Sequence, residues 1–290
     1  MLEPWRWRVY PELEGMGLRC MAEDKEGRMW FGTKDGVVCY DGTAWTAYTQ
    51  SEGLVGAPVT ALCVSRDGTV YAGTERDGIT GFRDGNWFRV FPPEPGLPWP
   101  VTDLEEASDG SVWAATGWGA LRLYRGEAHV YAASGAARVL EKQAPYVRTV
   151  AVPEAAIQMG AWGQGVGVAM VPTGRTPGPR VITELAPGGP AEAAGLILGD
   201  MLLSVNGDST DWRALMGAVG APAVVTVRRS TVPEPFEVVL DRGLVEGEYA
   251  EFRVSDICAG SGSTMWFGLY AGEVVKYEPN GGEKLGHESF

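Results

Sequence analysis

The sequence offers few side chains that could serve as a nucleophile or as a general acid–base pair. Histidine occurs only at His129, beside a predicted edge strand, and at His287, near the end of the chain. A Ser/His/Asp or Cys/His arrangement would have to use one of these two positions. The adjacent acids Glu105 and Glu106 cannot act together, because neighbouring residues of a strand point to opposite faces. The sequence therefore predicts no catalytic residues.

The cysteines and the Asp-Gly pairs indicate structure rather than metal chemistry. The four cysteines, at positions 20, 39, 63 and 258, show no CxxC spacing and lie in apolar runs, which is typical of buried free thiols. The Asp-Gly pairs lack the D-x-[DN]-x-[DN]-G density of a calcium loop and are explained as turns. We expect no metal site and no cofactor.

A glycine-rich segment offers a different chemistry, the binding of a carboxylate by backbone amides. The run Gly165-Val166-Gly167-Val168 can present its N–H groups to an anion. Glycine suits such a loop because a side chain would block the close approach and strain the positive φ angles that the loop requires. A G-x-G run alone is usually a plain turn, so its interpretation depends on the sequence that follows.

The sequence downstream of this loop is a regular order of short strands and turns. It contains the runs Pro190-Ala-Glu-Ala-Ala-Gly195-Leu, Leu198-Gly-Asp200 and Val205-Asn-Gly207. Pro190 begins and Gly195 ends a short helix, since proline needs no N–H partner in the first turn and glycine accepts the left-handed cap. Asn206-Gly207 is the favoured pair for a type I′ turn. This order closely resembles the PDZ domain in its bacterial form.

The resemblance implies a peptide-binding site. In PDZ domains a partner's C-terminus adds as an extra strand beside the strand that follows the glycine loop. A helix predicted from Asp211 to Val219 would place its apolar face along the groove, although part of that face belongs to the core. A structural module with its groove filled by loop 173–179 stays open as an alternative. The implied peptide-binding residues are Gly165, Val166, Gly167, Val168, Ala169, Met170, Val171, Trp212, Leu215 and Met216.

The rest of the chain carries a repeat. Segments that begin at Leu18, Val59, Val101 and Val254 share one register, and the first three starts differ by 59 − 18 = 41 and 101 − 59 = 42 residues. Each copy contains an apolar strand, a tight Gly-containing turn, an aromatic strand and further Gly turns, which is typical of a four-stranded propeller blade. The pattern, over residues 18–131 and 254–278, resembles the two-component-regulator propeller repeat of sensory bacterial proteins.

The sequence thus predicts a mainly β protein, a small β-propeller of four or five blades with an inserted PDZ domain. The predicted domains are the first part of the propeller over 1–162, the PDZ domain over 163–242, and the last blade with the closure over 243–290. Strand-like residues 146–152 and 157–165 leave a fifth blade open. Aromatic residues 5–10 are expected to supply the outer strand of the last blade, either within the chain or by exchange in a homodimer.

The charge of the chain narrows the range of partners. With 24 basic and 37 acidic residues the formal net charge is −13, which disfavours nucleic acid and anionic membrane surfaces. No apolar run approaches the ~20 residues of a membrane span, and the first residues lack the pattern of a secretory signal. The localisation is not fixed by these features, and they slightly favour the cytoplasm.

We expect a non-catalytic scaffold or sensory protein that binds a peptide or a protein C-terminus. Two alternatives stay open. One is an enzyme with its active site in the propeller channel, for which Asp103 and Asp256 are candidates because both follow their strand start by two residues. The other is a ligand-binding sensory input domain of a bacterial signalling system.

Overall fold

The computed structural model describes residues 8–92, 96–152, 158–161, 164–173, 178–216, 218–245, 248–270, 272–279 and 286–288. Within these residues, strands dominate, and they form four blade-like sheets, a further five-stranded sheet and two short two-stranded ladders. Short 3-10 helices lie at Pro11–Leu13, Gln50–Glu52 and Ser261–Ser263. No helix in the described part of the chain is long and apolar enough to cross a membrane.

The first two repeats each form a four-stranded antiparallel sheet in which strands that follow each other in the chain pair. The first sheet contains β1 (Cys20–Glu23), β2 (Met29–Gly32), β3 (Val37–Tyr40) and β4 (Trp45–Tyr48). The second contains β5 (Val59–Val64), β6 (Val70–Thr74), β7 (Ile79–Arg83) and β8 (Asn86–Phe91). Gly27 and Gly68, in the first turn of each repeat, have φ angles of +77° and +86°, which glycine adopts without strain. The predicted blade architecture is confirmed.

The third repeat forms a larger sheet. Its strands are β9 (Val101–Glu106), β10 (Val112–Thr116), β11 (Gly119–Tyr124), β12 (Glu127–Ala132) and, after helix α1 (Ser134–Gln143), β13 (Arg148–Ala151). β13 pairs in parallel with β12, because α1 supplies the crossover that parallel neighbours require. The strand predicted over 146–152 therefore extends the third sheet instead of beginning a fifth blade.

The inserted segment begins and ends with two short ladders. β14 (Gln158–Ala161) pairs with β22 (Glu248–Glu251), and β15 (Gln164–Gly165) pairs with β21 (Gly243–Leu244). The second stretch proposed for a fifth blade, 157–165, thus joins these ladders, while 157, 162 and 163 lie outside the described residues. Among the described residues the sheets of blade type number four.

A five-stranded antiparallel sheet lies between these ladders. Its strands, in spatial order, are β16 (Val168–Pro172), β17 (Arg180–Leu185), β18 (Met201–Val205), β19 (Pro222–Arg228) and β20 (Phe236–Asp241). Helix α2 (Pro190–Ala193) begins at Pro190, and Gly195 follows it at φ +83°. Asn206 and Gly207 have φ angles of +51° and +80°, as a type I′ turn requires. Both local predictions are confirmed.

The fourth blade-like sheet contains β23 (Val254–Ala259), β24 (Met265–Leu269), β25 (Val274–Tyr277) and β26 (Gly286–Glu288). The expectation that residues 5–10 form its outer strand is wrong, because β26 pairs with β25 in that position. A segment that follows β25 in the chain closes a short loop, which costs less entropy than recruiting a distant strand. Residues 5–7 themselves lie outside the described residues, and the homodimer expected from exchange of this segment stays a prediction.

Buried clusters join consecutive blades. Trp30 and Val59 belong to the cluster between the first two sheets, and Trp113 and Phe267 belong to the one between the third and fourth. In the described part of the chain, no buried cluster joins the fourth sheet to the first. Apolar contacts therefore hold each blade to the next blade in the order of the chain.

Helix α1 connects the propeller to the inserted module. Leu140 of α1 and Val181 of β17, both fully buried, share one apolar cluster with residues of the second and third blades. Nε2 of Gln143 donates a hydrogen bond of 3.3 Å to the carbonyl oxygen of Gly199. The outer face of β17 therefore packs on α1 and is not free to bind a ligand.

The prediction that the four cysteines are buried is confirmed for two of them. Cys39 and Cys63 are buried and Cys20 is half-buried. The expectation is wrong for Cys258, which is exposed because its position on β23 alternates with the buried side chain of Ile257.

Candidate peptide-binding groove

Strand β16 lies at the edge of the five-stranded sheet. It pairs only with β17 among the described strands, in a register that runs from Val168 opposite Leu185 to Pro172 opposite Arg180. One row of its backbone N–H and C=O groups is therefore not used by a strand within the described residues. Such an edge is the template to which an extended peptide adds in β-augmentation.

The glycine loop before β16 is anchored on both sides. The carbonyl oxygen of Gly167 accepts a hydrogen bond of 3.0 Å from the amide of Ala186, and that of Val166 accepts one of 2.9 Å from Ala191 in α2. Gly167 has a φ of +72°, and a Cβ placed on it would lie 2.9 Å from Cβ of Ala186. The predicted need for glycine at this position is confirmed by both conformation and space.

The N–H groups of this loop are the donors that the sequence analysis proposed for a carboxylate. Between the residues that the structure describes, the N–H groups of Val166 and Gly167 donate no hydrogen bond. The side chain of Val166 is 1% exposed and belongs to the core of the module. The loop is thus anchored by an apolar side chain, and the N–H groups of Val166 and Gly167 have no acceptor among the described residues.

The helix predicted from Asp211 to Val219 is much shorter in the structure. It is a 3-10 helix over Trp212–Leu215, and Met216 already has extended angles of φ −85° and ψ 162°. The reason is local: Gly217 follows Met216 in the sequence, and Gly220 adopts a φ of +81°, so this segment gains little from continuing a helix. Val219, expected on the same helical face, is exposed outside the helix.

Two contacts place this 3-10 helix alongside β16. A Cβ placed on Gly165, just before the strand, would lie 2.9 Å from Sδ of Met216. At the other end, the guanidinium carbon of Arg180 lies 5.6 Å from the ring centroid of Trp212, and Arg180 pairs with Pro172. The helix therefore runs antiparallel to β16, with its two ends near the two ends of that strand.

The predicted peptide-binding residues differ in how far they are buried. Leu215 is 3% exposed and lies in the core behind the groove, as predicted, whereas Met216 is 56% exposed at the end of the groove near the loop. Trp212 is half-buried. Ala169 is buried, Val168 and Met170 are half-buried against the core, and Val171 is described only through its backbone.

A cavity of about 760 Å³ lies elsewhere in the module. It is bordered by α2 and by β20 and β21, with Pro190, Val239 and Leu244 among its lining residues. None of the predicted peptide-binding residues lines it. This cavity is therefore separate from the edge of β16 to which a peptide strand would add.

Sequence reasoning missed Arg180. The only sequence signal was a basic residue directly before the apolar strand Val181-Ile182, which is a common position for a solvated charge. In the structure Nε of Arg180 and Nε1 of Trp212 are both buried and have no hydrogen-bond partner. Burial lowers the pKa of Arg180, and the nearby positive charge of Arg253 lowers it further.

The carboxylates proposed for a propeller channel have structural contacts. Oδ2 of Asp103 accepts a hydrogen bond of 2.9 Å from the amide of Ile257, so this side chain ties β9 to β23. Burial raises the pKa of Asp103, and the negative charge of Asp256 contributes to the same shift. Asp256 itself is exposed. No group of three or more His, Cys, Asp or Glu in the described ranges could hold a metal ion.

Comparison with family models identifies both kinds of element in the chain. The PDZ domain matches residues 181–229, and the two component regulator propeller matches residues 12–35. The chain therefore carries a PDZ domain and a two-component-regulator propeller repeat, as its sequence motifs predicted. A search of curated protein sequences found no match.

Solved structures with a similar arrangement are β-propeller proteins of low identity. Virginiamycin B lyase from Staphylococcus aureus is 14% identical with a TM-score of 0.34, over 95% of this chain and 85% of that chain. The extracellular domain of a hybrid two component system from B. thetaiotaomicron is 16% identical with a TM-score of 0.39, over 92% of this chain and 41% of that chain. These similarities concern the fold alone.

The same comparison corrects one expectation from the sequence. We expected a protein that is not an enzyme, but the similar structures include enzymes, namely virginiamycin B lyase and a streptogramin B lyase. Because one scaffold hosts unrelated functions, this likeness assigns no activity to the chain, and equally the scaffold gives no ground for excluding one.

Proposed function

We propose that this protein binds the C-terminus of a partner protein, or another extended peptide, by strand addition to β16. The observation that carries the proposal is the edge of β16 that pairs with no other described strand. This strand follows an anchored glycine loop whose amides donate no hydrogen bond among the described residues, and the 3-10 helix Trp212–Leu215 runs antiparallel to it. The presence of a PDZ domain supports it, since such domains generally bind peptides or C-termini.

Each part of the groove has a distinct task in this proposal. The N–H groups of Val166 and Gly167 receive the terminal carboxylate, and the backbone of β16 supplies main-chain hydrogen bonds to the peptide. Met216, exposed beside Gly165, contacts the last apolar side chain, while Leu215 supports the groove from the core. Pro172 has no N–H group, so the donor row of β16 ends before it.

The peptide's direction follows from the position of the loop. If its carboxylate lies at the start of β16, the rest of the peptide must run antiparallel to β16 toward Pro172. Such a peptide becomes a sixth strand of the sheet, and its side chains alternate between the groove and solvent. Affinity then comes from the backbone, and selectivity comes from the alternate side chains that face the 3-10 helix.

We further propose the division of labour that the sequence suggests, with a PDZ domain over 163–242 inserted into a propeller over 1–162 and 243–290. The propeller serves as a platform, because the outer face of the PDZ sheet packs on α1 through Val181. The resemblance of the propeller to those of two-component systems supports a role of this protein in sensing or signalling. A simpler role is that of a scaffold.

Fluorescence polarisation with a library of labelled peptides tests this proposal. Selective binding should require a free C-terminal carboxylate and disappear when the same peptide is amidated. Gly167→Glu should abolish binding, because it adds a side chain and a negative charge where the carboxylate docks. Gly207→Glu is the matched control: Gly207 also has a positive φ, but no atom lies within 4 Å of a Cβ placed there.

The proposal fails if folded wild-type protein binds no peptide, or if Gly167→Glu binds as well as Gly207→Glu. Circular dichroism and thermal unfolding of each variant establish that the folded protein is being compared. Trp212→Ala provides an independent readout, because it removes a groove side chain without changing the glycine loop.

A further inference from the structure

Two buried donors without acceptors lie together at the far end of the groove. Nε of Arg180 and Nε1 of Trp212 have no hydrogen-bond partner, and the arginine lies over the tryptophan ring at 5.6 Å. A buried N–H group that lacks an acceptor costs free energy. Two such groups on one stacked pair indicate that a ligand supplies the acceptor.

The charge around this pair favours an acidic ligand. Among the residues that the structure describes, no carboxylate forms an ion pair with Arg180, although the chain has 37 acidic against 24 basic residues. Burial lowers the pKa of Arg180, and so does the positive charge of Arg253, whose guanidinium carbon lies 4.8 Å from the ring centroid of Tyr270. The guanidinium of Arg180 therefore lacks a counter-charge among the described residues, and an acidic ligand supplies one.

The register of the sheet determines which residue of a bound peptide lies beside Arg180 and Trp212. Arg180 shares a face of β17 with Ile182, which is fully buried in the module's core together with Leu215, so its side chain points to the side that carries the 3-10 helix. Arg180 pairs with Pro172. A peptide whose last residue lies opposite Val168 places the residue opposite Pro172 four positions earlier, since 172 − 168 = 4.

We infer that Arg180, stacked on Trp212, is a specificity-determining residue that selects an acidic side chain about four positions before the C-terminal residue of the bound peptide. The carboxylate accepts hydrogen bonds from the guanidinium and from the indole N–H. Arginine suits this task because its planar group stacks on an aromatic ring while its edge binds a carboxylate. This inference rests on the proposed function.

The test uses the full chain and one series of labelled peptides with a common C-terminal residue. The series moves a single glutamate through positions −1 to −5, with glutamine in its place as the neutral reference. We expect wild-type protein to bind the peptide with glutamate near position −4 about tenfold more tightly than the glutamine peptide, as for a charge-assisted hydrogen bond. The difference should shrink as salt concentration rises.

Arg180→Gln should make the affinities for the glutamate and glutamine peptides equal, so that the preference is lost whatever the affinity for the glutamine peptide. Arg180→Lys keeps the charge but not the planar stacking, and should retain part of the preference. Arg213→Gln is the matched control, since Arg213 lies on the same 3-10 helix as Trp212 but is exposed. This variant should retain the full preference for the glutamate peptide.

The outcomes separate this inference from the function on which it rests. Wild-type binding without a glutamate preference, or a preference that survives Arg180→Gln, overturns the inference and leaves peptide binding intact. Failure of every peptide to bind overturns peptide binding and this inference together. Unfolding curves distinguish a lost preference from a misfolded variant.

Discussion

Oδ2 of Asp24 accepts a hydrogen bond of 2.7 Å from Nε1 of Trp30. Trp30 is fully buried between the first two blades, and the aspartate lies in the first turn of the same repeat. In the third repeat Ser111 takes this role, accepting a bond of 2.9 Å from Trp113. The central aromatic residue of a blade is thus tied to its own turn by a polar side chain, with a different residue in each case.

Replacing Asp24 should therefore destabilise the propeller. Asp24→Ala removes the acceptors of Trp30 Nε1, of the Arg28 side chain and of two turn amides. Leaving a buried donor unsatisfied predicts a loss of about 2–3 kcal/mol in the free energy of unfolding. Urea unfolding followed by tryptophan fluorescence measures it. Asp35→Ala, at an exposed turn position, is the control, and equal stability of the two variants would contradict the prediction.

Acid should destabilise the blades through their turn carboxylates. Burial opposes the charged form of Asp67, but hydrogen bonds from Ser65 and Thr69 and the charge of Arg83 outweigh it and lower its pKa from 3.8 to about 2. A carboxyl group whose pKa is lower in the folded state stabilises the protein fully above pH 3.8, and this contribution disappears as the pH falls toward 2. The pKa of Asp24 is also lowered.

Unfolding free energies measured between pH 5 and about pH 2 check this dependence. The wild type should lose stability steadily below pH 4, and Asp67→Asn should flatten that part of the curve. A variant curve parallel to the wild-type curve over the whole range would show that Asp67 does not contribute.

Alanine should be tolerated differently at two glycines with similar backbone angles. Gly167 and Gly207 have φ of +72° and +80°, so alanine at either position costs about 1 kcal/mol of backbone strain. At Gly167 the new Cβ also meets Cβ of Ala186 at 2.9 Å, which displaces the loop. Gly167→Ala should weaken peptide binding by about tenfold or more, whereas Gly207→Ala should lower stability alone. Equal binding by both variants would contradict a role of this loop.

The thiols should differ sharply in reactivity. Burial raises the pKa of Cys39 to about 11 and that of Cys63 to about 12, so neither forms the reactive thiolate in the folded protein near pH 8. Cys258 is exposed and should react first with a thiol reagent such as DTNB. Cys258→Ser should remove the fast phase, and Cys39 and Cys63 should react only after unfolding. Rapid labelling of Cys63 in native protein would contradict its burial.

The sequence by itself determined the features that depend on chain neighbours. The blade turns at Gly27 and Gly68, the type I′ turn at Asn206-Gly207 and the short helix from Pro190 all have the predicted conformation. Each rests on a backbone angle or a missing donor that one or two residues impose locally. The repeat register and the glycine loop were predictable for the same reason.

The tertiary structure decided what depends on distant partners. It added β13 to the third sheet, gave the outer strand of the last sheet to β26 and limited the predicted helix to Trp212–Leu215. It also brought Arg180 onto Trp212 and β17 onto α1. No local signal specifies such contacts, because a strand edge, an apolar face or an arginine accepts many partners, and only the packing of the whole chain selects among them.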